Sequence, residues 1–206
     1  LSDNERAYHH GTLKRALVDA AVALIEEGGI EHVSVREAAK RVGVSPGAPF
    51  RHFPSKTALL TAVAEEAMAR LSTHMQTALS ANGDQPAMRQ YLALGYAFLD
   101  WAFENPTHFQ VISARAVIDF EGSGIAAANN RIRDEMRRLL EAALAQGDIR
   151  NATVDDVLLA TRALAYGLAR MNVDGQMKSW DVEPGTALQV SRRLLDDCVG
   201  RFRLGA

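Results

Sequence analysis

The chain is predicted to be all-α. Apolar residues recur at spacings of three and four along most of its length, while β-branched runs are short and period-two alternation is hard to find. Serine, threonine, glycine and proline stand where such helices would start and stop. Leu13, Leu17, Ala20, Leu24 and Ile25 trace the first apolar stripe, and Gly28-Gly29 closes that helix. Ser34 starts the second, with Glu37 three residues on in capping-box form, and Gly43 stops it. Ser45-Pro46 supplies a serine N-cap and a proline at the first helical position for a third helix ending near Pro54. Ser55 caps a long helix from about Lys56 to about Ser80.

Asn82-Gly83-Asp84 then turns the chain, Pro86 opens an aromatic-rich helix to about Phe103, and Asn105-Pro106 breaks and restarts it. Gly122 and Gly124 mark another break before a charged amphipathic helix to about Gln146. Thr153 with Asp156 caps a helix to about Met171, and Pro184 opens the last, to about Phe202. The expectation is nine helices and no strand. The second and third are too short to persist alone, since isolated helices under ~12–15 residues are marginal in water. Residues 1–55 are therefore expected to form a three-helix domain and residues 56–206 a larger helical bundle, with the helix over 56–80 as connector.

Composition bounds the function. In 206 residues, 48% are hydrophobic and 23% charged, the balance of a soluble globular chain able to bury a core. The single cysteine, Cys198, excludes an internal disulfide framework and a cysteine-based zinc ribbon. No apolar run approaches the ~18 residues that would span a bilayer, and the N-terminus has no signal-peptide apolar region, so a cytoplasmic protein without a membrane partner is expected. The chain begins at Leu1 rather than methionine, which points to a short leader ahead of it. With 23 basic and 25 acidic residues the net charge is −2, so any signal for nucleic acid has to be local.

It is local. Between Ser34 and Lys56 stand Arg36, Lys40, Arg41, Arg51 and Lys56 against Glu37 alone, a net +4 in a chain whose remainder carries −6. A cationic patch on an otherwise acidic molecule suits attraction to backbone phosphates. Two short helices joined by Gly43-Val44-Ser45 make a helix-turn-helix, with Val44 and Phe53 as core. The second helix of the pair begins Ser45, Pro46, Gly47, Ala48, small residues that let its backbone approach bases and phosphates. Arg51 is a candidate for bidentate contact with guanine, or equally for phosphate, and Lys56 is expected on phosphate. Arg36, Ser45, Pro46, Gly47 and Ala48 belong to the same surface.

The stretch Thr12 to Leu71, above all VSVREAAKRVGVSPGAPFRHFPSKTALL, strongly resembles the TetR family of bacterial transcriptional regulators. The opening YHHGTLKRALVDAA resembles one subgroup of that family, and WAFENPTHF is similar to a Trp…Asn-Pro…Phe pattern of the same subgroup. The resemblance implies a homodimeric repressor of a double-stranded DNA operator, with a C-terminal domain that binds a small-molecule effector, and it implies that His52 faces the DNA backbone, with capping or packing as the competing role. Two residues depart from it. Phe50 stands where the family often has a tyrosine whose hydroxyl touches phosphate, so a sugar contact or packing is expected there instead. Pro49 stands where leucine or isoleucine is usual. As the fourth helical residue it removes only the first bond of the ladder, so a helix slightly opened at its start is expected.

The effector domain implied by the resemblance is expected to use Tyr96, Trp101, His108, Phe109, Arg115, Phe120, Arg162 and Tyr166, aromatics with a few polar anchors for a partly apolar ligand. For any one of them ordinary core is the competing reading. Val157, Leu158, Leu164 and Leu168, then Leu188, Leu195, Val199 and Phe202, put apolar stripes on the last two helices (about 153–172 and 184–203), a basis for a two-fold dimer. No enzyme, metal or cofactor is expected. His9 and His10 point apart, the Asp100, Glu104 and His108 series is interrupted by Asn105-Pro106, and neither a glycine-rich phosphate loop nor a nucleophile elbow occurs. The alternatives to a ligand-responsive regulator are a helical adaptor or an enzyme-like protein that kept the fold without DNA binding.

Overall fold

The computed structural model describes residues 3–150 and 152–202, with side chains from Thr12 onward, so the side chains of the YHHG opening lie outside the described residues. Eight α-helices and four short 3-10 turns make up its regular structure, and no strand occurs among the described residues. The α-helices are α1 (Asp3–Gly28), α2 (Val35–Val42), α3 (Lys56–Ala81), α4 (Ala87–Glu104), α5 (Pro106–Ser113), α6 (Gly124–Ala145), α7 (Val154–Val173) and α8 (Ala187–Phe202). The all-α expectation holds, but the count of nine does not: the third expected helix is absent. In its place Ser45–Ala48 form turns, and Pro49–Arg51 a single 3-10 turn.

The reason lies in Pro49 and Gly47. Pro49 has no N–H to give the Ser45 carbonyl, and Gly47 loses more backbone freedom on winding than any other residue would. The Ser45 carbonyl instead takes the Ala48 N–H at 3.1 Å, and the Pro49 carbonyl takes both His52 N–H and Phe53 N–H at 2.9 Å. Burial of Pro49 and Phe53 then holds the short turn in place of a helix.

Other boundaries follow the local signals closely. Ser34 Oγ accepts the Glu37 N–H at 3.1 Å, the serine half of the expected box. Thr153 and Asp156 close theirs in both directions. The helix after Asn105-Pro106 is short, stopping at Ser113, and α8 starts at Ala187, after a turn in which Thr186 N–H bonds the Glu183 carbonyl.

The chain packs as two compact units. The first comprises Leu1–Met68 and Thr107–Ala126, so it holds more than the N-terminal 55 residues. Its core packs α1 on α2, with Leu17, Ala21, Ile25, Ala38 and Ala39 buried, and Leu59, Leu60 and Val63 of α3 and Phe109 and Val111 of α5 are buried in it as well. Polar contacts stitch the distant segment in: the Asp119 N–H donates to Thr61 Oγ1 at 2.9 Å, and Glu66 Oε1 lies 3.3 Å from Arg15 and 4.0 Å from the buried His108.

The second unit, Ala69–Pro106 and Ala127–Ala206, is built on α4, α7 and α8, each packed on the other two. Gly95 allows α4 to lie close on α8, since a Cβ there would stand 2.6 Å from Leu195 Cδ2. Beside that contact an ion pair joins Arg192 to Asp100, and the Tyr96 hydroxyl donates to Asp196.

Between α4 and α7, the Tyr91 hydroxyl and Thr161 Oγ1 meet at 2.5 Å, and Thr161 donates to the Val157 carbonyl at 2.7 Å. Burial pushes the Tyr91 phenol up to about 12. Thr161→Val is expected to destabilise by about 1–3 kcal/mol, because it leaves the Tyr91 O–H buried without an acceptor. Tyr91→Phe removes the other member and leaves Thr161 its carbonyl partner, so urea denaturation is expected to show the smaller loss for that variant.

Candidate nucleic-acid interface and effector region

The interface candidate is built on α2 and the chain that follows it. Gly43, at φ 79, ends α2 in a left-handed turn in which its N–H bonds the Lys40 carbonyl at 3.2 Å and the Val44 N–H reaches Ala39 O at 3.1 Å. That closure satisfies the last carbonyls of α2 and aims the chain into Ser45–Arg51. There Pro49 and Phe53 turn inward, while Ser45, Pro46, Gly47, Phe50 and Arg51 are exposed and Ala48 and His52 half-buried. Ser55 Oγ then accepts the Ala58 N–H at 3.0 Å and starts α3 at Lys56. Val44 is half-buried rather than core.

The five cations are not equivalent. Arg41 forms a two-pronged pair with Glu27 of α1, one prong at 2.7 Å, which holds the Glu27 carboxyl below its usual range and raises the guanidinium. Lys56 donates to the Glu31 carbonyl at 3.1 Å and lies 3.8 Å from its carboxylate. Arg36, Lys40 and Arg51 are exposed and form no ion pair with any described residue. Free positive charge in this window is therefore concentrated on those three. Lys40, one helical turn after Arg36, is the member that reading the chain did not single out as a contact residue. Its spacing was visible, but its freedom depends on where Glu27 and Glu31 are placed by α1 and the turn after it.

The eight candidate effector residues divide between the two units. In the first, His108 and Phe109 are buried, and exposed Arg115 lies over the Phe120 ring at 3.8 Å. In the second, Trp101 is core, its Nε1 buried with no hydrogen-bond partner among the described residues, and Arg162 lies 4.8 Å from the Phe98 ring and 5.3 Å from that of Tyr166. Tyr96 is half-buried and donates to Asp196; burial and that carboxylate both raise its phenol. Within the second unit Tyr96 also lines a groove of about 330 Å³, together with apolar Leu92 and Ala97 and polar His74, Arg89 and Asp100. His74, Arg89 and Asp100 were not among the expected effector residues, and only the packing of the unit brings them to one groove with Tyr96.

Residues 17–63 match the family of bacterial regulatory proteins, tetR family, and residues 91–197 match the tetracyclin repressor-like C-terminal domain. The chain belongs to the TetR family. It is a transcriptional regulator, and the turn segment lies with Arg36, Lys40 and Arg51 within the TetR N-terminal match.

The nucleoid occlusion factor SlmA of Escherichia coli (strain K12 / DH10B) is 27% identical to this TetR-family chain over 153 residues, 73% of this chain and 76% of that one. A protein with unknown function from Rhodococcus sp. RHA1 has a similar structure, with TM-score 0.75 and 26% identity over 96% of this chain and 98% of that one. KstR2 of Mycobacterium tuberculosis, a ketosteroid transcriptional regulator, shares the fold at TM-score 0.71 and 18% identity, over 93% and 95% of the two chains. No helix among the described residues is long and apolar enough to cross a membrane.

Proposed function

We propose that this TetR-family regulator is a cytoplasmic repressor that leaves a palindromic operator when a small, partly apolar molecule binds its C-terminal part. The observation that carries the reading is the outward face of Ser45–Arg51 beside Arg36 and Lys40, three cations with no ion pair among the described residues. Residues 1–55 act as the DNA-binding head in this reading, and residues 56–206 as the effector and dimerisation domain. Arg36, Ser45, Pro46, Gly47, Ala48, Phe50, Arg51, His52 and Lys56 face the duplex. Arg51 reads a base, while Lys56, steadied by Glu31, holds phosphate at the start of α3.

Homodimerisation through α7 and α8 places the two heads about one DNA turn apart, ~34–36 Å. Leu159 on α7 and Leu194 on α8 support that role, being large apolar side chains left 71% and 37% exposed. The stripe residues Val157, Leu158, Leu168, Leu195 and Val199 are buried within the protomer, so the dimer contact falls to the neighbouring exposed positions.

The effector is assigned to the C-terminal part, with Tyr96, Trp101, Arg162 and Tyr166 as candidates in one unit and His108, Phe109, Arg115 and Phe120 in the other. Occupancy acts on the head through α3, which starts at Lys56 and ends in the second unit. A coupling of ~1–3 kcal/mol gives a ~5–150-fold change in operator affinity.

The test is a mobility-shift series on selected duplex fragments across a range of salt concentrations. Binding that falls steeply with salt supports the reading, since each neutralised phosphate adds about −0.9 to the logarithmic slope. A protein that ignores every fragment at low salt overturns it.

A further inference from the structure

We infer that Phe50 is a specificity-determining residue that reads the C5-methyl group of a thymine next to the position contacted by Arg51, an inference that rests on the DNA-binding reading above. With about three residues per turn, the 3-10 turn puts Pro49 and His52 on one side and leaves Phe50 and Arg51 on the rest of its circumference. Pro49 is buried and His52 half-buried, so Phe50 and Arg51 point outward. Phe50 keeps 41% of its surface exposed, beside Pro46, Gly47 and Ala48, which are small enough to let it approach a partner closely.

The chemistry of Phe50 selects the contact. The ring has neither donor nor acceptor for a base edge, and in the major groove the thymine methyl is the apolar group it can meet. A contact with sugar alone would carry no sequence information. A second copy of this face is a poor partner, because α2 packs against the turn and brings Arg36 and Lys40 to the same head as Arg51. Like charges would meet like, whereas a polyanion is attracted.

The experiment uses the full chain and a duplex selected by it from random fragments. Each thymine is replaced singly by deoxyuridine, which removes the methyl group and nothing else, and affinity is read by fluorescence anisotropy at fixed salt. The parent is expected to lose about three- to fivefold at one thymine per half-site, the scale of one buried methyl. Phe50→Ala is expected to bind thymine and uracil duplexes alike, and Phe50→Leu to keep part of the difference. Thermal melting of both variants checks folding, which the exposure of Phe50 leaves undisturbed.

Two results overturn the inference. One is a parent indifferent to every replacement. The other is a Phe50→Ala protein that still senses the methyl while binding all duplexes more weakly, which puts the ring on sugar. Absence of binding to any duplex is a different outcome, and it removes the DNA-binding reading itself.

Discussion

Leu159→Glu is expected to give a folded monomer with little operator binding left. Leu159 is 71% exposed, so the protomer loses almost nothing when it changes, surface substitutions usually lying within ~0.5 kcal/mol. In a two-fold interface the same position occurs on both copies, and the substitution brings two carboxylates toward an apolar contact that excludes water. Loss of a central anchor costs at least about 2 kcal/mol, roughly a 30-fold weakening of self-association. Operator affinity falls further, because one head then binds one half-site without the benefit of linkage to a second. Sedimentation velocity measures the first effect and mobility shift the second; Leu194→Glu is the companion variant. A Leu159→Glu protein that still sediments as the parent does would exclude this face of α7 from the dimer.

Arg51→Ala is expected to cost about 1–3 kcal/mol at one base pair and little at the others. Lys56→Ala is expected to weaken every duplex alike and to reduce the salt slope by about one. The structure sharpens the contrast. Arg51 is exposed with no ion pair among the described residues, free to adopt the geometry a guanine requires, whereas Lys56 is anchored on the Glu31 carbonyl at the start of α3 and offers a fixed point charge. Affinities of both variants for a panel of operator substitutions at two salt concentrations separate the roles. Equal losses across the panel for Arg51→Ala would move that residue to the phosphates.

Helix starts and stops were the most legible part of the chain, because a cap is a contact between residues three or four apart. Ser34, Gly43, Ser55 and the Thr153–Asp156 pair act where their sequence places them. The third helix misled for a related reason. Ser45-Pro46 is a genuine start signal, and each of Gly47 and Pro49 is tolerable near a helix start. Together they take away the first bond of the ladder and add backbone freedom that winding must give up, and the burial of Pro49 and Phe53 then favours the 3-10 turn. The charge window was legible as a count, but its pairing was not. Glu27 and Glu31 lie outside it in sequence and reach into it only once α1 and the turn after it have packed.

The stripes on α7 and α8 show a different limit. Periodicity reveals that a helix has an apolar side, yet a helix in a dimeric bundle has two, one for its own chain and one for its partner. Val157 and Leu195 turned out to serve the protomer, leaving Leu159 and Leu194 outside. The aromatic run near α4 was equally ambiguous, since hydrophobic bulk suits a core as well as a pocket; Trp101 and Phe109 lie in cores, while Tyr96 lines a groove.

Short-range chemistry therefore set the helical class, most helix boundaries, the tight turn after α2 and the basic character of the head, since hydrogen-bond capping and side-chain periodicity act over a few residues. Folding in three dimensions decided which cations stay free of ion pairs, which apolar side chains of α7 and α8 are left exposed, and that Thr107–Ala126 packs in the same unit as residues 1–55. Those outcomes depend on side chains well separated in sequence competing for the same buried surface and the same counter-charge, a competition that is resolved only when the helices meet.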